Sequence, residues 1–206
     1  MTRTIIVTGT DTGIGKTVFC AGLAGMLGAH YWKPIQAGLD DETDSQCVAR
    51  LGGLTADRII PEAYRLKAPQ SPHFAAELES RTIVPDELDL PQVDGPLIVE
   101  GAGGALVPVT PALLYADLFK HWQAPVVIVA RTGLGTISHS LMTIEALRHR
   151  HVPILGVAFV GDAMANSEWT IAERGDVRRL GRLPRIAPLD AQSLRRAFAA
   201  NFSPDL

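Results

Sequence analysis

Residues 7–18 read VTGTDTGIGKTV and follow directly on the apolar pair Ile5-Ile6. An apolar strand, a glycine-rich turn and a Lys-Thr pair opening a helical pattern are how a chain wraps its backbone around phosphate. The window Thr10-Asp11-Thr12-Gly13-Ile14-Gly15-Lys16-Thr17 fits the P-loop template at every position but the first. There Thr10 replaces glycine, and Gly9 stands one residue earlier. Glycines admit positive φ and close backbone approach, so successive N–H groups can point at a β-phosphate. The helix starting near Lys16 adds its positive end. In that template Lys16 reaches the β- and γ-oxygens and Thr17 binds Mg²⁺. Which reaction the phosphate serves has to come from the rest of the chain.

Working outward, apolar runs recur between amphipathic stretches. Thr4–Val7 reads as a strand and Lys16–Leu27 as the helix after it, with Val18, Leu23, Met26 and Leu27 at helical spacing. Tyr31–Gln36, Pro96–Val99, Pro125–Ala130 and Ile154–Val160 read as further strands, with helical patterns at Leu113–Trp122 and Thr136–Arg150. Continuous apolar strands imply a sheet covered on both faces. Strand and helix in alternation predict an α/β fold of P-loop NTPase type, with a mostly parallel central sheet flanked by helices and right-handed crossovers. Residues 38–94 are less regular. A helix is expected from GLDDETDS to Leu51, then a Pro-rich excursion from Pro61 to Pro91 lying over the strand ends. A final strand is expected near RLGRLPRI, and a last helix to Ala199 with Asp190 as its N-cap. The chain reads as one domain, residues 1–206.

Ligands in such folds sit beyond the carboxyl ends of the strands, so the residues after each apolar run are the candidates. The second run ends in WKPIQAG. A lysine there is unusual, because burial penalises its charge unless an anion is close. Lys33 is therefore either an edge lysine with its ammonium in water or a second cation beside the γ-phosphate. The third run ends in VEGAGG, which puts Glu100 where P-loop proteins carry a metal-binding carboxylate. Asp44 in DETDSQ is a second such carboxylate, or else an ordinary acid in the first turn of a helix. The fourth run ends in ARTGLGTISH, a Gly-rich loop opening a helix whose N–H groups can bind a carboxylate.

Bulk properties narrow the classes. Nineteen basic residues stand against 22 acidic ones, so no global positive field draws the chain to nucleic acid or an anionic membrane. The basic clusters Arg148–His151 and Arg178–Arg185 read as a helix C-terminus and a solvated loop. Cys20 and Cys47 form neither a CxxC motif nor a disulfide framework, which suits a reducing compartment. With no signal-peptide pattern and no apolar run long enough to span a bilayer, a soluble, cytoplasmic protein is expected.

Taken in order, VTGTDTGIGKT, KPIQAG, the SPH of Ser71–His73, VEGAGG and GTISHSLMT resemble the successive motifs of the dethiobiotin synthetase family along nearly the whole chain. The resemblance implies a homodimer that closes a cyclic urea on 7,8-diaminononanoate with CO₂, ATP and Mg²⁺, one step before biotin synthase. An amine takes up CO₂ to give a carbamate, which attacks the γ-phosphate, and the second amine displaces phosphate from the resulting anhydride. No protein nucleophile is required, in keeping with a chain that shows no Ser/His/Asp or Cys/His signature. The resemblance gives Lys33, Lys16 and Thr12 to the reacting groups, and Thr17, Asp44 and Glu100 to Mg²⁺. It assigns the nucleotide to Gly13, Ile14, Gly15, Lys16, Thr17 and Val18, to Asp44, to Glu100-Gly101-Ala102-Gly103 and, at the base, to Gly161, Asp162 and Pro184-Arg185-Ile186. Substrate contacts fall to Thr12, Lys33 and Ala37, with Gly135-Thr136-Ile137-Ser138 receiving the substrate carboxylate across the dimer interface.

Two positions depart from the family pattern. Ala37 stands where relatives usually carry a hydroxyl, and Gly161 where the best-known ones place an Asn for adenine, so the choice of nucleotide is open. The rival of the same fold is a partition or cell-division ATPase. Those carry a signature lysine where this chain has Asp11. A small-molecule kinase would typically show an Arg-rich lid, and the middle of the chain has none.

Overall fold

The computed structural model describes residues 3–206. Eleven strands form, in chain order: β1 (Thr4–Gly9), β2 (His30–Trp32), β3 (Ile35–Ala37), β4 (Ile59–Ile60), β5 (Tyr64–Leu66), β6 (Leu97–Gly104), β7 (Pro108–Thr110), β8 (Leu113–Leu114), β9 (Val126–Arg131), β10 (Ile154–Val160) and β11 (Arg179–Leu183). The helices are α1 (Lys16–Leu27), α2 (Asp44–Gly52), α3 (Pro72–Leu78), α4 (Tyr115–Trp122), α5 (Thr136–His149), α6 (Ala165–Gly175) and α7 (Ala191–Asn201). Seven strands make one sheet in the order β11-β10-β9-β1-β6-β2-β4, and its pairings are parallel throughout. The chain leaves β1 toward β2 and β4, returns to lay β6 beside β1, and then builds outward on the other side. The order therefore reverses at β1, which is where such sheets open a crevice for ligand.

Alternation along the strands explains why they read as continuous apolar runs. Ile5, Val7, Ile98, Val127 and Val129 pack with Phe19 and Leu23 of α1, Val48 of α2 and Phe198 of α7. Ile6, Leu97, Val99, Val126 and Ile128 pack with Ala75 of α3, Phe119 of α4, Ile144 of α5 and Ile171 of α6. Each strand thus buries both sets of side chains, and no polar face survives.

Three expectations are refined. The run Tyr31–Gln36 is two strands in two sheets: β2 pairs with β4 and β6, whereas β3 pairs with β5. Pro34 has no N–H for a ladder, so the chain breaks at Lys33-Pro34 and turns the lysine out of register. The helix expected from GLDDETDS begins only at Asp44, because Thr43 closes a capping box with Gln46. The helical reading of Leu113–Trp122 holds from Tyr115, while Leu113 and Leu114 form β8 against β7. Asp190 caps α7 as expected, accepting from Ser193 N.

Candidate active site

The carboxyl ends of β1, β2 and β6 open into a cavity of about 630 Å³. Thr12 to Val18 form one wall, and Lys33, Ala37, Asp44, Glu100, Ala102 and Gly103 line the rest. Pro69 to Pro72 and Val107 close it over. Gly15 enters α1 with φ 95, a left-handed conformation that glycine alone adopts without strain. Lys16 begins the helix, and its ammonium bends back to donate to the Asp11 carbonyl at 3.0 Å. The loop is closed on its own lysine and presents the N-terminal amides of α1.

Lys33 is 3 % exposed, which decides between its two readings. Its Nζ lies 2.6 Å from Asp44 Oδ2 and 3.3 Å from Glu100 Oε1. Burial pulls the Lys33 ammonium toward neutrality, but the charges of Glu100 and then Asp44 outweigh burial and hold its pKa above the ordinary lysine value. Asp44 is the mirror case. Burial favours its neutral form, yet the Lys33 charge and hydrogen bond keep the carboxyl below the usual range. Lys16 is shifted down, chiefly by burial, with Glu100 pulling the other way and Lys33 adding repulsion. Two buried cations and two carboxylates thus balance in charge at the foot of the cavity.

Thr17 Oγ1 sits 2.7 Å from Asp44 Oδ1 and 3.0 Å from Glu100 Oε1. One hydroxyl proton can serve only one of them at a time. Three hard oxygen ligands therefore converge with fewer donors than lone pairs, a set suited to Mg²⁺ that keeps several waters and binds phosphate. Glu100 is itself buried, and its other oxygen, Oε2, accepts from Tyr31 Oη at 2.9 Å. Asp44 is presented by a neighbour as well: its backbone N–H donates to Gln36 Oε1 at 3.1 Å, fixing the first residue of α2 against the strand that follows Lys33.

Other expected residues lie outside this cavity. Gly101 contributes its carbonyl, 3.5 Å from Lys33 Nζ. Gly161 and Asp162 follow β10, and Pro184, Arg185 and Ile186 follow β11, on the P-loop side of the sheet. Val160, at the end of β10, packs beside the loop: a Cβ placed on Gly15 would lie 3.0 Å from Val160 Cγ1. Gly135, Thr136, Ile137 and Ser138 open α5 at the end of β9, with Ser138 exposed and Thr136 buried. Sequence reasoning missed Tyr31, Gln36, Val107 and the Pro69-Gln70 turn. Only the SPH motif next to that turn carried a signal, and Ser71 Oγ is in fact joined to His73 Nδ1 at 3.1 Å.

A family model described as an AAA domain matches residues 3–193. Proteins named ATP-dependent dethiobiotin synthetase BioD match end to end. That of Rhodopseudomonas palustris strain HaA2 is 61 % identical over 100 % of this chain and 96 % of its own length, and that of Rhizorhabdus wittichii is 62 % identical over 100 % and 98 %. The chain belongs to the dethiobiotin synthetase family. Among solved structures, a ParA family ATPase from Chlorobium tepidum superposes with TM-score 0.58 at 11 % identity, covering 96 % of this chain and 98 % of that one. The cell-division ATPase MinD of Pyrococcus furiosus superposes with TM-score 0.54 at 14 %, covering 97 % and 98 %. At those identities the likeness is one of fold alone, a parallel sheet of P-loop NTPase type flanked by helices. The Lys33–Asp44–Glu100 cluster is thus the charged floor of a synthetase-family cavity.

Proposed function

We propose that this protein makes dethiobiotin in biotin biosynthesis, closing the cyclic urea of 7,8-diaminononanoate with CO₂ at the expense of ATP. The observation that carries the reading beyond nucleotide binding is Lys33, a buried ammonium at the foot of the P-loop cavity. A hydrolytic switch has no evident use for it. One amine of the substrate adds to CO₂ and loses a proton, giving a carbamate anion. A carbamate oxygen attacks the γ-phosphorus and ADP leaves. The second amine then attacks the carbonyl carbon of the anhydride, phosphate departs with its electron pair, the new C–N nitrogen gives up a proton to solvent, and the ring is closed.

The residues contribute position and charge rather than a covalent intermediate. Lys33 lies where it can neutralise both the carbamate and the transferring phosphoryl group. Lys16 and the amides of Gly13 to Val18 hold the phosphates, and Thr12 sits at the mouth beside the reacting groups. Thr17, Asp44 and Glu100 would hold Mg²⁺, which when bound neutralises charge on the β- and γ-oxygens. Gly161, Asp162 and Pro184 to Ile186 are the base segment. The start of α5 takes the substrate carboxylate from a second copy of the chain. That assembly is supported by fully exposed Leu134 and by Met142, exposed one turn after Ser138 on the same helix face. Free Cys20 and Cys47, with no described helix long and apolar enough to cross a membrane, fit a cytoplasmic enzyme.

The test is nucleoside diphosphate release with diaminononanoate, bicarbonate and Mg²⁺ supplied together and then omitted one at a time. Turnover that requires each of them, with a cyclic urea as product, is expected. Strong hydrolysis without the diamine would overturn the reading.

A further inference from the structure

We propose that Tyr31 is a positioning residue for the metal site, holding Glu100 so that one of its oxygens faces Thr17 and the incoming cation. Tyr31 lies on β2, is completely buried, and donates from Oη to Glu100 Oε2 at 2.9 Å. Glu100, on the neighbouring strand β6, is 1 % exposed. Its two oxygens are thus divided: Oε1 meets Thr17 and Lys33 on the cavity side, and Oε2 meets Tyr31 on the core side.

The geometry follows from the sheet. Tyr31 pairs in register with Ile98, two residues before Glu100, on the parallel strand alongside. Side chains two apart share a face, so the tyrosine and the glutamate lie on the same side of the sheet, offset along the strand. A long aromatic side chain spans that diagonal. Because burial denies Oε2 any water, a partner there is required. A rigid phenol supplies it and restricts rotation of the carboxylate about its last bond. Groups that hydrogen-bond a ligating carboxylate orient it and tune the metal, and their loss typically costs 10–100-fold in metal affinity.

This inference rests on the Mg²⁺ assignment made above, so the decisive readout is metal binding rather than turnover. The experiment compares wild type, Tyr31→Phe and Tyr64→Phe. The third removes another tyrosine hydroxyl, bonded to Glu87, from a residue that does not line the cavity. Binding of Mn²⁺ to each protein saturated with ADP is measured by electron paramagnetic resonance, and turnover is titrated with Mg²⁺. Tyr31→Phe is expected to weaken the metal about tenfold or more, with kcat at saturating Mg²⁺ within about threefold of wild type; Tyr64→Phe is expected to leave metal binding unchanged. Equal metal affinity in wild type and Tyr31→Phe, or an equal loss in both variants, would overturn the proposal. A wild type that binds no Mn²⁺ beyond free ADP would overturn the metal assignment and the proposal together. A wild type that binds Mn²⁺ normally but makes no cyclic urea would sink only the proposed reaction. Should Tyr31→Phe not fold, 3-fluorotyrosine in the Tyr64→Phe, Tyr115→Phe variant leaves one resonance, that of Tyr31. It is expected to shift when Mg²⁺ joins ADP, and no shift would count against the proposal.

Discussion

Lys33 Nζ lies 2.6 Å from Asp44 Oδ2, so each charge has the other as a close partner. In the free protein each neutralises the other. In the proposed working complex Asp44 would face the metal, and Lys33 the carbamate and γ-phosphoryl group. The pair offsets the burial of the Lys33 charge with an acid that is itself partly exposed.

Replacing the lysine tests this directly. Lys33→Ala is expected to lower turnover by several orders of magnitude while nucleotide affinity stays nearly intact, because its charge acts mainly as the transition state forms. It also leaves Glu100 buried and less well compensated, so the free protein is expected to lose stability, by about 3 kcal/mol or more. Rapid-quench turnover, nucleotide titration and urea unfolding check the three parts. Near-wild-type turnover would remove Lys33 from the mechanism.

Lys16→Ala should behave in the opposite way. The Lys16 pKa is depressed, so the folded state disfavours the ammonium and its cost is present below that lowered pKa. Removing the charge is expected to leave the urea midpoint at pH 7 unchanged or raised, while nucleotide binding collapses. Loss of both stability and binding would contradict that sign.

The ion pair also sets a pH window. Asp44 is depressed, so its contribution is complete above the ordinary carboxylate pKa of about 4 and is lost as pH falls through its lower folded value. Lys33 is raised, so its contribution is complete below the ordinary lysine pKa of about 10 and fades only as pH climbs beyond it. The pair thus stabilises the free protein fully between about pH 4 and 10. Asp44→Asn is expected to cost stability at pH 7 and to converge with wild type as pH falls below the ordinary carboxylate pKa of about 4 and through the lowered Asp44 value. Urea-midpoint curves that stay parallel throughout that fall would refute the linkage.

Ala37 lines the cavity without a polar group. Ala37→Ser is expected to lower KM for the diamine by two- to tenfold with kcat nearly unchanged, as one added hydrogen bond of about 0.5–1.5 kcal/mol would. Initial-rate kinetics in the diamine check it, and an unchanged or raised KM would show that the hydroxyl finds no partner there.

Much of this architecture is legible in the sequence because its strands bury both faces. Runs such as PVVIVA need no long-range information to be read, and the functional loops follow them directly. What escapes is of two kinds. Helix α6 went unread, since Ile171 is the one large apolar side chain it buries, alongside Glu168 and Gly175. Glu168 is held instead by Arg179 and Arg182 from β11. The contacts that orient the site are the other kind. Tyr31 and Glu100 are 69 residues apart, and only the register of β2 on β6 brings them together. Spacing identified the carboxylate but could not reveal which hydroxyl holds it.

The proposed base segment yields the last prediction. With glycine at position 161, that position offers the base only backbone, so one or two side-chain hydrogen bonds worth about 0.5–1.5 kcal/mol each are absent there. That is too little to abolish binding, because the triphosphate contacts dominate. It narrows discrimination among bases to roughly tenfold or less. CTP and GTP are therefore expected to support turnover at rates not far below ATP. Restoring the side chain is not simple, however. Gly161 has φ 126, and a Cβ there would lie 2.5 Å from Thr132 Oγ1. Its N–H already donates to the Leu183 carbonyl at 2.9 Å, and its carbonyl accepts from Arg182 at 3.0 Å, so the backbone cannot swing away freely. Gly161→Asn is expected to cost about 1–3 kcal/mol in stability and to give little gain in ATP preference. Thr132→Ala removes the nearest clash, so the double variant should recover part of the stability and show whether the amide then favours adenine. The measurements are turnover against concentration for four nucleoside triphosphates and thermal unfolding, on wild type and both variants. A wild type already a hundredfold selective for ATP would move base recognition to Asp162 or to Pro184–Ile186, and a stable Gly161→Asn would show that the turn after β10 relaxes more easily than its hydrogen bonds imply.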